Sequence, residues 1–301
     1  LAENKKIRLY LMTLKGYAVL ESMIAKGYAQ LIESVVVGKD QSVDNDYSGE
    51  IIKLCQNGKI DFYLRKNAPE SDAEFSLAIS WRWLLDPKTN CLIVLHDSLL
   101  PSYRGFAPLV AQLINKEPHV GVTAFVANEF FDEGDIIFQK KMDVSYPVKI
   151  KDIVNQISTL YVRLALDICE LILKAEPLPR RSQKQDQATY CVWRDEEDYL
   201  IDWHNSSDYI KRFIDAVGSP YKGAATFFDG NLIRILDAQT KPDINLVQRD
   251  VGKVIRLEDG SPVVVCGTGL LKITDARSNS GSSDILPLDR LRIKFKDANT
   301  I

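Results

Sequence analysis

Three histidines stand in 301 residues, and one of them, His96, sits where an apolar run ends: CLIVLHDSLLPSYRG, residues 91 to 105. Six mostly apolar residues lead into the ring, and a polar loop with a proline follows. A strand buried on both faces reads this way, and in an open parallel sheet ligands bind in the crevice beyond the carboxyl ends of the strands. His96 is therefore either a catalytic ring or a structural one that bonds to backbone at the lip of its strand. His119, in NKEPHVGV, and His204, in DWHNSS ahead of a helix, read as solvated surface. A second cluster lies in GVTAFVANEFFDEGDIIFQKKM, residues 121 to 142, which reads as strand, loop and strand. There Asp132, Glu133 and Asp135 surround Gly134. A carboxylate in a tight glycine turn beside Phe130 and Phe131 is expected to be partly desolvated, which suits proton transfer; the alternative is a turn acid chosen for its backbone hydrogen bonds.

Elements must hold these groups. From residue 7 to about 174 short apolar runs alternate with helical stretches: IRLYLMT (7 to 13) and LIESVVVG (31 to 38) as strands, YAVLESMIAKG (17 to 27) and SGEIIKLCQNG (48 to 58) as helices, then FSLAIS and CLIVLH as further strands. This alternation predicts an α/β domain with a doubly wound, mostly parallel, Rossmann-like sheet. Residues 149 to 175 carry apolar side chains at helical spacing and close that domain. EPLPRRSQKQDQATY, residues 176 to 190, is polar and contains proline, the mark of a linker. Beyond it the pattern changes to short β-rich runs with turns at Asp229-Gly230, Asp259-Gly260 and Gly267-Thr268-Gly269, which suggest a small OB-like barrel. The expected domains are residues 1–182 and 183–301.

Composition narrows the class. With 46% hydrophobic and 26% charged residues the chain is globular, and 38 Lys and Arg against 41 Asp and Glu give a net charge of -3. Such a balance exerts no strong pull on nucleic acid or on an anionic membrane. The five cysteines are scattered, without a C-x-x-C pair, so a zinc site is not expected and the thiols are read as free, in a cytoplasmic protein. LAENKKIRLYLMT lacks the apolar core of a signal peptide, and no run of about 18 apolar residues occurs that would span a membrane.

Over residues 96 to 139 the chain closely resembles the formyltransferases that use 10-formyltetrahydrofolate. Their pattern is Asn-x-His-x-Ser-Leu-Leu-Pro, then Arg-Gly, Gly-Val-Thr and Asp-x-Gly; here it reads HDSLLP, RG, GVT and DEG. AISWRWLLDP (78 to 87) resembles the segment that holds the pterin ring in that family, and residues 201 to 238 resemble the start of the C-terminal domain of methionyl-tRNA formyltransferase and of some sugar formyltransferases. The resemblance implies His96 as the group that stabilises a tetrahedral oxyanion and Asp132 as the carboxylate that moves the amine's proton. It implies Trp81, Arg82, Trp83, Leu84, Phe131 and Asp132 at the folate, with Ser98, Arg104 and Gly105 shaping the substrate site. One position departs: the family's asparagine falls on Val94, on the same face of the strand as His96. Loss of one oxyanion donor costs about a hundredfold to a thousandfold in rate, which leaves an enzyme with another donor, a slow enzyme, or a degenerate folate-binding member.

For the acceptor, the resemblance offers methionyl-tRNA or a nucleotide-linked amino sugar (dTDP-, UDP- or GDP-linked), the latter as in lipopolysaccharide O-antigen synthesis. The tRNA enzymes carry a basic loop after the second strand, whereas GKDQSVDNDYSGE (38 to 50) is acidic, and residues 186 to 301 hold 15 Lys and Arg against 18 Asp and Glu. Phosphate neutralisation drives tRNA binding, so the amino sugar is the expected substrate, with no nucleic acid, no metal and a homodimer as one possible assembly. Lys15, in MTLKGY, would reach the sugar's diphosphate or else stand as a solvated helix-start lysine. Tyr221, Phe227 and Phe228 would stack on a base or pack a core.

Overall fold

Short β-branched runs become strands where the sequence places them. The computed structural model describes residues 6–88, 90–281 and 283–296, so the outer ends of the expected domains fall outside it. The chain divides into two compact units, one taking in residues up to Leu109 with Pro118–Val144 and Asp152–Val192, the other Val110–Glu117, Ser145–Lys151 and the residues from Trp193 on.

The first unit carries, in chain order, β1 (Ile7–Leu11), α1 (Thr13–Ala25), β2 (Ile32–Val37), α2 (Ser48–Gly58), β3 (Phe62–Leu64), β4 (Phe75–Ile79), β5 (Cys91–His96) and a two-residue β6 (Arg104–Gly105). After α3 (Pro108–Ile114), most of which belongs to the second unit, come β7 (His119–Val126), β8 (Ile136–Asp143), α4 (Ile150–Leu173) and a two-residue β9 (Tyr190–Cys191). Seven strands form one sheet in the order β3-β2-β1-β4-β5-β7-β8. The five from β3 to β5 are parallel, β7 runs antiparallel to β5, and β8 antiparallel to β7. Strand order reverses between β1 and β4, the switch point where such sheets open a crevice.

Leu9, Leu11, Val35, Leu77, Ile79 and Ile93 are buried in the sheet, which accounts for the unbroken apolar runs. On α4 the buried residues Ile153, Ile157, Leu160, Tyr161, Leu164 and Ile168 fall at i, i+4, i+7, i+8, i+11 and i+15, the stripe a helix needs to lie on a core. The stretch expected as a linker is instead part of this unit. Residues 181–191 form a strap: Arg181 and Ile136 exchange both backbone hydrogen bonds (3.0 and 2.8 Å), and β9 pairs in parallel with β6. Gln183, Gln185 and Thr189 of this strap bond to the loops that carry Asp132, Arg104 and Tyr103.

In the second unit α5 (Ser207–Val217) begins at an N-cap, Ser206, whose side chain accepts from the Tyr209 N–H (3.2 Å). Strands β10 (Ala224–Phe228), β11 (Asn231–Lys241), β12 (Val254–Glu258), β13 (Ser261–Val265) and β14 (Leu270–Ser278) form an antiparallel sheet in the order β10-β11-β14-β13-β12. Asp229-Gly230 and Asp259-Gly260 turn the two expected hairpins, all four residues having positive φ as such tight turns require. Phe227 exchanges both backbone bonds with Lys296 (3.0 Å each), while the Val254 N–H donates to Ile293 (3.0 Å) and the Phe295 N–H to Gly252 (2.8 Å). The segment 293–296 thus joins the two edge strands and the sheet closes on itself. Trp203 stacks on Phe295 (5.8 Å between ring centres), and the half-buried Phe228 packs on the same ring (5.7 Å), at the edge of the core.

Candidate active site

His96 ends β5 with its ring buried. Its Nε2 lies 2.8 Å from the Tyr103 carbonyl oxygen, which can only accept, so that nitrogen carries the hydrogen. The other nitrogen, Nδ1, faces Asp132 Oδ2 at 3.7 Å, too far for a direct bond. Asp132 comes from the loop between β7 and β8 and adopts a left-handed φ of 54°, a conformation that aspartate tolerates better than most residues. Its Oδ2 accepts the Gly105 N–H at 2.7 Å. Gly105 has φ 95°, and a Cβ there would collide with the Cys191 carbonyl, so only glycine brings this amide to the carboxylate. Residues 36 positions apart in the sequence meet, leaving a gap between two acceptors, Nδ1 and Oδ2, that a hydrogen-bearing group would fill. Phe130 and Phe131 do not desolvate the carboxylate as expected: they are 66% and 61% exposed.

The loop after His96 is fixed by its own polar groups. Ser98 donates to the Ser102 carbonyl (2.6 Å), Thr123 donates to the Ser98 carbonyl (2.6 Å), and Thr123 Oγ1 accepts from the Leu100 N–H (3.0 Å) and from Gln139 Nε2 (2.9 Å). Ser98 is fully buried and serves this brace, not a ligand. Asp97 is tied to Lys15 and accepts from the Tyr161 hydroxyl at 2.8 Å. Lys15 is only 6% exposed, and its ammonium lies 5.2 Å from the centre of the Tyr161 ring, so the structure assigns it to holding the residue next to His96 instead of to a phosphate. His119 and His204 are exposed and paired with Asp143 (2.7 Å) and Asp202 (3.0 Å), as surface residues.

Arg104 is 0% exposed and cannot touch a substrate. Its guanidinium donates to Gln183 Oε1 (2.8 and 3.2 Å), to Gln185 Oε1 (2.8 Å) and to the Tyr190 hydroxyl (3.2 Å), and it pairs with Glu133 (3.1 Å). Its backbone N–H donates to the Thr189 carbonyl (2.8 Å). Sequence reasoning missed Gln183, Thr189 and the Tyr103 carbonyl, because a polar stretch and a backbone atom leave no mark in composition. Val94 packs against Leu100, Phe125 and Ile136, an apolar cluster in which a side-chain amide would find no partner of its own.

At the switch point, Trp81 follows β4 and meets Tyr10 of β1 edge-on (5.2 Å) and Trp83 likewise (5.0 Å), while Arg65 lies over the Trp83 ring (4.3 Å). The Trp81 indole nitrogen is buried and has no partner among the described residues. A donor without a partner costs about 1–3 kcal/mol, so an aromatic recess with one free N–H fits a flat heterocycle that brings an acceptor, as folate's pterin does. Arg82 is turned to Asp40 (2.7 Å) in the acidic loop, and Leu84 is exposed. Among the described residues no group of three His, Cys, Asp or Glu is placed to hold a metal, and no helix is long and apolar enough to cross a membrane. Burial pushes the thiols of Cys55, Cys169 and Cys266 up to about 12, which leaves them unreactive.

Two family models match the sequence: Formyl transferase over residues 64–166, and Formyl transferase, C-terminal domain over residues 194–283, together more than half of the chain. The chain belongs to the formyl transferase family. A methionyl-tRNA formyltransferase of Citrifermentans bemidjiense is 31% identical over 195 residues, 64% of this chain and 58% of that one. The chain spans about half to three fifths of the length of the curated relatives it matches first. In fold it is similar to an N-formyltransferase from Helicobacter canadensis in complex with folinic acid and dTDP-3-aminofucose. That likeness has a TM-score of 0.66 at 15% identity and covers 89% of this chain and 98% of that one. It is also similar to HypX from Aquifex aeolicus in complex with tetrahydrofolic acid, with a TM-score of 0.60 at 14% identity over 92% of this chain and 44% of that one. His96, Asp132, Arg104 and Val94 fall inside the matched N-terminal formyl transferase region, whereas the strap at 181–191 falls between the two matches.

Proposed function

We propose that this formyl transferase moves the formyl group of 10-formyltetrahydrofolate to the amine of a nucleotide-linked amino sugar. The observation that carries the reading is the meeting of His96 and Asp132 over the Gly105 amide, with Nδ1 and Oδ2 both turned to one gap. The folate supplies an activated formyl carbon, held by Trp81, Trp83, Leu84 and Phe131. An attacking amine must lose a proton. With its hydrogen fixed on Nε2, His96 takes that proton at Nδ1, and Asp132 offsets the positive charge that results. The ring then has a hydrogen to offer the oxygen on which negative charge develops. As the tetrahedral species collapses, the bond from the formyl carbon to the folate nitrogen would break, with the proton taken from the amine passing from His96 to that nitrogen. His96 is thus an acceptor first and an oxyanion donor second, an order the sequence does not reveal.

The amino sugar is favoured by the acidic loop between β2 and α2, where Asp40, Asp44 and Asp46, with Glu50 in the first turn of α2, would repel a phosphate backbone, and by a fold shared over nearly the full length of an N-formyltransferase holding a dTDP-amino sugar. Formyl transfer to a panel of dTDP-, UDP- and GDP-amino sugars tests it: product with at least one is expected, and folate binding without product from any amine would overturn it. One observation favours a second reading, methionyl-tRNA. In the closing segment of the second unit Arg290, Arg292, Lys294 and Lys296 alternate with Leu291, Ile293 and Phe295, and all four cations are exposed. Such a stripe suits phosphates. Binding of initiator tRNA that weakens steeply with salt would support it, and no binding at low salt would remove it.

A further inference from the structure

Asp132 is gripped at two points, and both grips trace back to the neighbouring residues Arg104 and Gly105. Its carboxylate takes the Gly105 N–H (2.7 Å), while its own carbonyl is held by Gln183, whose amide hangs from Arg104. The Gln183 Nε2 donates to the carbonyls of both Asp132 and Gly134 (2.8 Å each), and its Oε1 accepts twice from the guanidinium. A carboxamide has two donors and two acceptor sites, so all four are used. Glutamate has the same shape but no hydrogens for the carbonyls, and asparagine is one methylene short of spanning from Arg104 to the turn. Only glutamine completes this link.

We propose that Gln183 is a positioning residue for the transfer step, the member of the strap that fixes the left-handed turn of Asp132 and so aims its carboxylate at His96. The inference rests on the reading that Asp132 serves formyl transfer. Arg104 is the post from which Gln183 hangs, and its complete burial explains why a cation near the site acts without meeting the substrate. Misplacement by about 1 Å at a reacting group costs on the order of a hundredfold, so the link affects rate more than binding.

The test is Gln183→Glu, with the exposed neighbour Lys184→Ala as control. The variant is expected to lower kcat by about ten- to a hundredfold while KM for folate and for the amine changes by less than about twofold. Hydrogen exchange reports the same event without activity. The Gly105 amide, bonded to Asp132, is expected to exchange on the order of tenfold faster in the variant. The Leu100 amide, bonded to Thr123, keeps its protection and shows that the loop remains folded. A kcat within twofold of wild type, or a slower rate with Gly105 still protected, would overturn the proposal. A wild-type protein silent toward every amine would overturn the functional reading instead. In that case unchanged Gly105 exchange in Gln183→Glu would still refute the positioning role.

Discussion

The loop after β5 and the closing segment of the second unit treat polar side chains in opposite ways. Around His96 they are driven inward: Ser98, Arg104 and Thr123 are all buried, each bonded to named partners. Along 290–296 they are driven outward, with cations exposed and with Ile293 and Phe295 buried between them. The outward arrangement follows from the pleat alone, since alternate residues of a strand face opposite sides. The inward one has to be satisfied bond by bond, and a half-satisfied network costs more than an apolar core. Buried polarity that is fully bonded therefore marks where geometry is specified, and exposed alternation marks where only a surface is.

The largest effects should come from breaking the inward region at its tip. His96→Ala and Asp132→Asn are each expected to slow formyl transfer by about a thousandfold, within the range for a lost general acid or base. Single-turnover assays on protein shown by circular dichroism to be folded would check this, and a loss under tenfold would detach the residue from the chemistry. One step back, Arg104→Met leaves Glu133 and Gln183 without their cation and is expected to cost about 3 kcal/mol, read from the urea midpoint. Arg104→Lys should recover only part, since one ammonium cannot reproduce the forked pattern of donors.

Val94 sharpens the comparison, being the apolar residue on the working face of β5. Val94→Asn sets an amide beside Leu100, Phe125 and Ile136, and the expected stability loss is about 1–2 kcal/mol. In exchange it offers a donor beside His96, and the rate is expected to rise by about tenfold, less than the full value of an oxyanion donor. An unchanged rate would show that the donor is already supplied from elsewhere.

The outward region should respond least. Lys294→Glu is expected to change stability by less than about 0.5 kcal/mol, as exposed substitutions do, and to leave formylation of an amino sugar unchanged. If the tRNA reading holds, the same change weakens tRNA binding and flattens its salt dependence. Glu258 contributes to the acid response of this unit: hydrogen bonds from Lys241 and then Arg256, outweighing a smaller push from burial, hold its carboxyl at about 2. A folded value below the ordinary 4.5 means that its contribution is fully present above pH 4.5 and is lost as pH falls toward 2. Glu258→Gln should flatten the loss of thermal stability in that window.

How much of this was readable from the sequence divides along the same line. The apolar runs gave β1, β2, β4 and β5, helical spacing gave α4, and Asp-Gly pairs gave both hairpins, because those features follow from local periodicity and turn chemistry. His96 was legible from its place at a strand end, and Asp132 as a partner through the resemblance. The strap was not: SQKQDQ has the composition of a linker, and only the three-dimensional partners of Gln183 and Gln185 reveal why glutamines stand there. Lys15 misled for a related reason, since a lysine bonded within the protein and a lysine awaiting a phosphate have the same letter and the same neighbours in sequence.

The placement of the strap also decides where this molecule can be divided. A cut after residue 182 would leave both reacting side chains on one piece, yet strip away Gln183, Thr189 and Tyr190, through which residues 103–105 and the Asp132 turn are secured. The unit that holds His96 and Asp132 continues to Val192, ten residues beyond that cut, and the strap belongs with it.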